Sequence, residues 1–467
     1  MVRKSDQFLA TKCNAFDMRS PLLPLTFIFM RVFRQLSNLC CACLGLIALF
    51  LTASASTVAQ PSVPWPHTFL GKYLHFSQAE LFEMKQGNII VKLLPTQVKQ
   101  EVAVFGVVRI DVPREFCIAR VRDIENFKKS TAIPEVKRFS NSPRLEDLED
   151  LTIDPMDMGS LKKCSVRHCD VKLPAEVIER FRSEINWSAP NYKEQVTMLT
   201  RHVLLSRVQA YMSDGNAALG HYDDKKYSLD LVGEFRGLLD QSPYLTEYVP
   251  ELDRYLREYS QTNLQNLESF VYWSEEKYGY GLKPVVTITH TSIYKQEGVT
   301  GEPIIIASKQ IYADHYFEAS LGLALLVEAT DNEATPRFYL MYLNRSRADA
   351  LRSSFAFLVR GTIARHIRGE MKETMTLLKA KMEALYRDER SRTEFRAMPL
   401  PGNPYSLGGL NCAQRMPLPA RGEAPVEGLQ PQRIPPRKDE KALQACGSVS
   451  RSQAGIASSE VRATPQR

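Results

Sequence analysis

The rhythm of apolar and polar positions changes twice along the chain. The first strand-rich stretch centres on Val102–Val112, V-A-V-F-G-V-V-R-I-D-V, which reads as a strand. Pro113 then opens a helix to about Arg122, with a second short turn over Asp123–Lys129. Asn88–Leu94, Val136–Ser140, Leu151–Ile153 and Cys164–Leu173 are further strand candidates, and Ser77 caps a short helix through Met84. From Pro174 to Tyr278 the spacing shifts to three and four. Helices are predicted over Glu176–Phe181, Lys193–Asp214, Ser242–Ser260 and Leu264–Lys277, with Gly215 or Gly220 as a stop.

Strand signals then return. Pro284–Lys295 and Ile304–Tyr316 form a hairpin through Glu297-Gly-Val-Thr-Gly-Glu302, whose glycines tolerate positive φ. Ala319–Ala329 alternates with Leu321, Leu323, Leu325 and Val327 on one face, and Phe338–Leu343 is the fourth strand. A long helix from Ser346 carries an apolar stripe from Leu351 through Phe355, Leu358, Met371 and Met375 to Leu385. The expected class is α+β: an antiparallel sheet gripping a long C-terminal helix, interrupted by a large helical insertion.

The same reading divides the chain into six parts. Residues 1–55 are a signal peptide or anchor, 56–101 a linker with short elements, and 102–173 the first half of the sheet domain. Residues 174–280 are the helical insertion, 281–390 the second half with the final helix, and 391–467 a disordered tail rich in Pro and Arg. Arg31 and Arg34 precede the 13-residue apolar run Leu39–Leu51, and Ala53-Ser54-Ala55 supplies small residues for cleavage. Export with cleavage near Ala55 or Gln60 is the expectation. A start at Met30, or an uncleaved anchor formed with Leu22–Phe33, are the alternatives.

Charge excludes one class. The formal net charge is +7, but the tail from Met398 carries nine Lys/Arg against five Asp/Glu and more basic residues lie before Ser37, so the remaining body is nearly neutral. No basic stripe interleaved with aromatics stands out, and nucleic acid is not an expected partner. Cleavage would leave Cys117, Cys164, Cys169, Cys412 and Cys446. Cys164-Ser-Val-Arg-His168-Cys169 is too sparse for a zinc site, so no metal and no cofactor are expected. On a strand these two cysteines would point to opposite faces, which favours free structural thiols over a bridge.

A strand entering a helix at Val102–Arg122, and a meander leading to a final helix at Pro284–Leu385, resemble the helix-grip fold of the START-like superfamily, which includes lipid-transfer domains and polyketide cyclases. That resemblance implies an apolar cavity between sheet and final helix, and transfers no catalytic residue. A hydrophobic or lipid-like small molecule is the expected partner. Contact with a membrane surface and the oligomeric state are left open. His290, Tyr312, His315, Tyr316, Phe355 and Leu358 are the candidate ligand-binding residues. They combine polar handles on adjacent strands with apolar positions on the helix. On a strand, Tyr312, Asp314 and Tyr316 would share one face and His315 and Phe317 the other, while the hairpin register leaves the face of His290 open. G-x-S-x-G, H-E-x-x-H, G-x-G-x-x-G and the P-loop are absent, so no activity is assigned. An interaction module built on the helical insertion, or a cyclase or hydrolase acting in the cavity, are the alternatives.

Overall fold

The computed structural model describes residues 67–278, 282–298, 301–329, 336–352 and 356–397. The expected signal segment and C-terminal tail lie outside these residues. Among the described residues no helix is long and apolar enough to cross a membrane.

The chain opens with helices α1 (His67–Leu74) and α2 (Gln78–Lys85), the latter held by a Ser77–Glu80 capping box. Strands β1 (Ile90–Leu94) and β2 (Glu101–Ile110) follow, then α3 (Arg114–Arg122), α4 (Ile124–Lys128) and the short β3 (Glu135–Arg138). The helical block contains α5 (Pro155–Lys163), α6 (Ala175–Ser183), the 23-residue α7 (Tyr192–Asp214), α8 (Leu231–Asp240), α9 (Pro243–Tyr248) and α10 (Pro250–Arg257). The two-residue strands β4 (His221–Tyr222) and β5 (Leu229–Asp230) sit between α7 and α8. Five long strands come next: β6 (Leu267–Glu276), β7 (Val285–Lys295), β8 (Ile304–Ala313), β9 (Phe317–Glu328) and β10 (Phe338–Ala348). The 42-residue α11 (Ala356–Ala397) closes the domain.

Eight strands form one antiparallel sheet in the order β1-β2-β10-β9-β8-β7-β6-β3. The early strands therefore flank the late meander on both sides. Both faces of the sheet are covered, which is why β2 and β7 are buried along nearly their whole length. One face packs against α11, α3 and α4 through residues such as Val104, Ile306, Leu340, Met371 and Met375. The other packs against α1 and the helical block through Phe105, Trp273, Ile305, Leu323 and Leu343. The α+β arrangement with a helical insertion and a long final helix is as expected. The apolar stripe of α11 meets the sheet at Ile367, Met371, Met375 and Met382. A glycine on β2 permits that approach: a Cβ at Gly106 would come within 2.6 Å of the Met375 Sδ and Cε.

Several boundaries differ from the pattern-based expectation. Leu264–Lys277 is the strand β6, not a helix. Its run Phe270-Val-Tyr-Trp273 is aromatic and β-branched, and pairing with β7 and β3 outweighs the helix-like spacing of Leu264, Leu267 and Phe270. The final helix does not begin at Ser346. β10 runs on to Ala348 because Arg345 and Arg347 find an acceptor in Glu101 of β2, at 2.6 and 3.4 Å. Leu151–Ile153 is irregular, and the expected helix Ser242–Ser260 is α9 and α10, broken before Pro250. Strand β8 stops at Ala313, leaving Asp314–Tyr316 in a turn with Tyr316 at φ 58°. The expected α7 stop is Gly215, at φ 66°.

Cys164–Leu173 is not a strand either. Arg167 adopts φ 71°, Ser165 and His168 bridge, and Cys164 and Cys169 come to a Cα separation of 4.5 Å and form a disulfide. The thiols expected to be free are joined because a turn, not a strand, separates them. Closing a loop this short removes little chain entropy, about 2 kcal/mol. Double Cys→Ser substitution at 164 and 169 is expected to lower the unfolding free energy by about that amount in urea melts. An unchanged midpoint would show that the local turn, and not the bond, holds the segment.

Candidate ligand cavity

The inner face of the sheet carries an unusual row of polar residues beneath α11. β7 alternates Thr287-Ile-Thr-His-Thr291, so Thr287, Thr289 and Thr291 share one face while Ile288 and His290 share the other. Register extends the row across the sheet: Thr291 lies opposite Ser308, Ser308 opposite Gly322, and Gly322 opposite Asn344. These positions floor a cavity of about 200 Å³. Cys117, Val121, Ile124 and Phe127 from α3 and α4 wall one side, and Met371, Met375 and Leu378 of α11 roof it. The volume lies between the about 150 Å³ of a cavity that takes a benzene ring and the roughly 300–1,000 Å³ of drug-sized pockets.

One end of the floor is charged. Lys128 donates to Glu276 at 2.7 Å, to the Tyr272 hydroxyl at 3.2 Å and to Ser274 at 3.2 Å. Tyr278 donates to the second Glu276 oxygen at 2.8 Å, and Ser274 to the first at 3.0 Å. Burial works to lower the Lys128 ammonium, but Glu276 and Tyr272 outweigh it and hold it above the ordinary lysine value. Near the other strands, Ser346 donates to Asn344 at 2.7 Å and the Asn344 amide reaches Ser320 at 3.3 Å. A chamber with an apolar roof, hydroxyls along its floor and a neutralised ion pair at its end can hold a molecule with a hydrocarbon body and one or two hydrogen-bonding groups.

Four of the six residues expected to bind ligand are placed elsewhere. His290 projects to the opposite face, where Nδ1 meets the Tyr211 hydroxyl at 2.9 Å among Tyr211, Tyr255 and Tyr259. Tyr312 is on that same face, beside Arg207 and Tyr222. His315 Nε2 lies 2.9 Å from Asp157, and the Tyr316 hydroxyl accepts from the Lys283 amide at 3.0 Å. Tyr312, His315 and Tyr316 gather at the β8–β9 turn, His290 stands apart, and none of the four lines the chamber under α11. Phe355 lies outside the described residues, as does the Leu358 side chain. The floor residues were readable: threonine at every second position of β7 is a period-two polar signal inside an apolar strand. Thr289 and Thr291 were hidden by attention to the rarer histidine between them.

No known protein family, curated protein or solved structure matches this chain.

Proposed function

We propose that this chain is an exported carrier or receptor that holds one compact amphiphilic small molecule between the sheet and α11. The observation that carries the reading is the hydroxyl row of buried Thr289 and Thr291 and half-buried Ser308 facing an apolar roof. A sheet face packed on a helix is normally apolar, and polar groups there are costly unless something satisfies them. The helix-grip likeness to START-like proteins agrees with this placement of a ligand. The volume favours a single ring or a short chain over a full lipid. Export is supported by the Cys164–Cys169 disulfide, a bond at home in oxidising compartments.

Native mass spectrometry of the purified protein tests the reading, with para-cresol as a probe. The protein is expected to carry a small apolar compound or to take up one cresol per chain. The Thr289→Val/Thr291→Val variant, isosteric but without the hydroxyls, is expected to bind cresol about tenfold more weakly. Cresol uptake that this variant leaves unchanged, or protein that stays empty at saturating cresol, would overturn it.

A further inference from the structure

A second cavity, of about 170 Å³, opens on the other face of the sheet, between β6–β8 and α5–α7. Its lining holds four carboxylates, Asp154, Asp157, Glu275 and Asp314, and no lysine, arginine or histidine. The remaining wall is largely hydrocarbon, with Leu161, Leu173, Phe181 and Leu204 facing in.

Three of the four carboxylates are already engaged. Asp154 accepts from the Met156 amide at 2.8 Å as the cap of α5, and Glu275 faces Lys277 at 3.6 Å. Asp157 is paired at both oxygens: Oδ1 accepts from Lys283 at 2.9 Å and Oδ2 from His315 Nε2 at 2.9 Å. His315 also presents Nδ1 to the Asp170 carbonyl at 3.0 Å. Both ring nitrogens therefore face acceptors, and against the effect of burial Asp314 and then Asp157 hold the ring as an imidazolium, with the Lys283 ammonium as the second cation on Asp157.

Asp314 is different. One oxygen accepts from the Val286 amide at 3.0 Å and the other accepts from no other described residue, while the carboxylate lies within 4.8 Å of a His315 ring nitrogen and an Asp157 oxygen. The Tyr312 hydroxyl has no hydrogen-bond partner among the described residues, although its side chain lines the cavity and the residue is only 4% exposed. Desolvation lifts the Asp314 carboxyl to about 7, with His315 opposing and Asp157 adding to the rise. Two unused acceptors thus face an acidic, hydrocarbon-walled space.

We propose that this cavity binds a compact organic ammonium ion, with Asp314 as counter-ion, the Tyr312 hydroxyl as acceptor and the aliphatic wall around its hydrocarbon body. An ammonium group brings three donors and one charge, which suits two free acceptors. Asp157, Asp314 and His315 bring ligand atoms within 4.8 Å of one another, but a metal ion fits less well because it would have to displace the Lys283 ammonium and the His315 Nε2 hydrogen bond from Asp157. The size is that of a single ring, close to the about 150 Å³ that accommodates benzene.

Isothermal titration at about pH 8, with Asp314 ionised, compares benzylamine with benzyl alcohol, which differs only in the charged group. Benzylamine is expected to bind at least tenfold more tightly, with Asp314→Asn losing that preference and Tyr312→Phe losing part of it. Thr289→Val/Thr291→Val, on the opposite face, is expected to leave benzylamine binding unchanged, which separates this site from the chamber under α11. Equal binding of amine and alcohol would overturn the proposal, as would no saturable heat up to about 10 mM amine. Competitive displacement of benzylamine by magnesium or zinc would also overturn it, by making the carboxylates a metal site. If Asp314→Asn does not fold, the amine-to-alcohol ratio of the native protein and Tyr312→Phe decide.

Discussion

Between about pH 6.5 and pH 3, the His290 ring alone is expected to withdraw about 5 kcal/mol of stability from the fold. His290 is fully enclosed by Tyr211, Tyr255 and Tyr259 and stands opposite Lys309 in the β7–β8 register. Burial, with a smaller contribution from Lys309, lowers its pKa to about 3. The unfolded chain then takes up a proton through the whole window that the folded chain refuses. The stability of the neutral ring is complete above pH 6.5, declines steadily below it and is gone near pH 3. His290→Gln keeps an acceptor for Tyr211 and removes the titration. Urea midpoints measured at several pH values should fall much less steeply for the variant, while carboxylates elsewhere affect both proteins alike. Parallel pH profiles would mean that the ring is protonated in the folded protein.

Lys309 makes the same region costly in a second way. Its amine group is enclosed with no carboxylate paired to it among the described residues, donating to Asn216 and lying 4.0 Å from the centre of the Phe235 ring. Desolvation pushes its pKa well down. The helical block therefore closes over the sheet on a polar, acid-sensitive seam, and not on hydrocarbon alone.

What could be read from the pattern was set by periodicity. The strands β7–β10, α7 and the α11 stripe from Ile367 to Met382 carry a clean period, and apart from the boundaries already given each is where the pattern puts it. β6 was misread because Phe270–Trp273 is a short apolar run, and only its partners β7 and β3 decide that it is extended. The placement of β3 beyond β6 joins residues more than a hundred positions apart, and no local signal encodes it. Site residues were harder still. The β-bulge opposite Ile288 and Thr289 inserts Ile311 into β8, so the neighbours Ile311 and Tyr312 both join the core under the helical block, and simple alternation along β8 misplaces the residues after it. Asp157, which engages His315 across the sequence, sits on a short helix with no motif of its own.

Lys128→Met is expected to lower the unfolding free energy by about 3–5 kcal/mol, although it removes a charge from an apolar surrounding. The reason lies in what remains. Glu276, with 4% of its side chain exposed, keeps hydroxyl donors from Ser274 and Tyr278 but loses the Lys128 ammonium at 2.7 Å. A buried carboxylate without a counter-charge must take up a proton or draw water into the chamber, and both cost stability. Lys128→Met/Glu276→Gln removes both charges together and is expected to recover most of the loss, because the amide oxygen still accepts from one of the hydroxyls of Ser274 and Tyr278 while the amide NH2 donates to the other. The double-mutant cycle then gives a coupling energy within about 0.5–3 kcal/mol, the range for residues in one network. A single-variant loss below about 1 kcal/mol would place the pair in solvent-screened surroundings, which would make the charged end of the chamber an open mouth. A full loss with recovery in the double variant would make that end a closed, neutral wall. In that case the ligand's polar group must be met by Thr289, Thr291 and Ser308 in the middle of the floor.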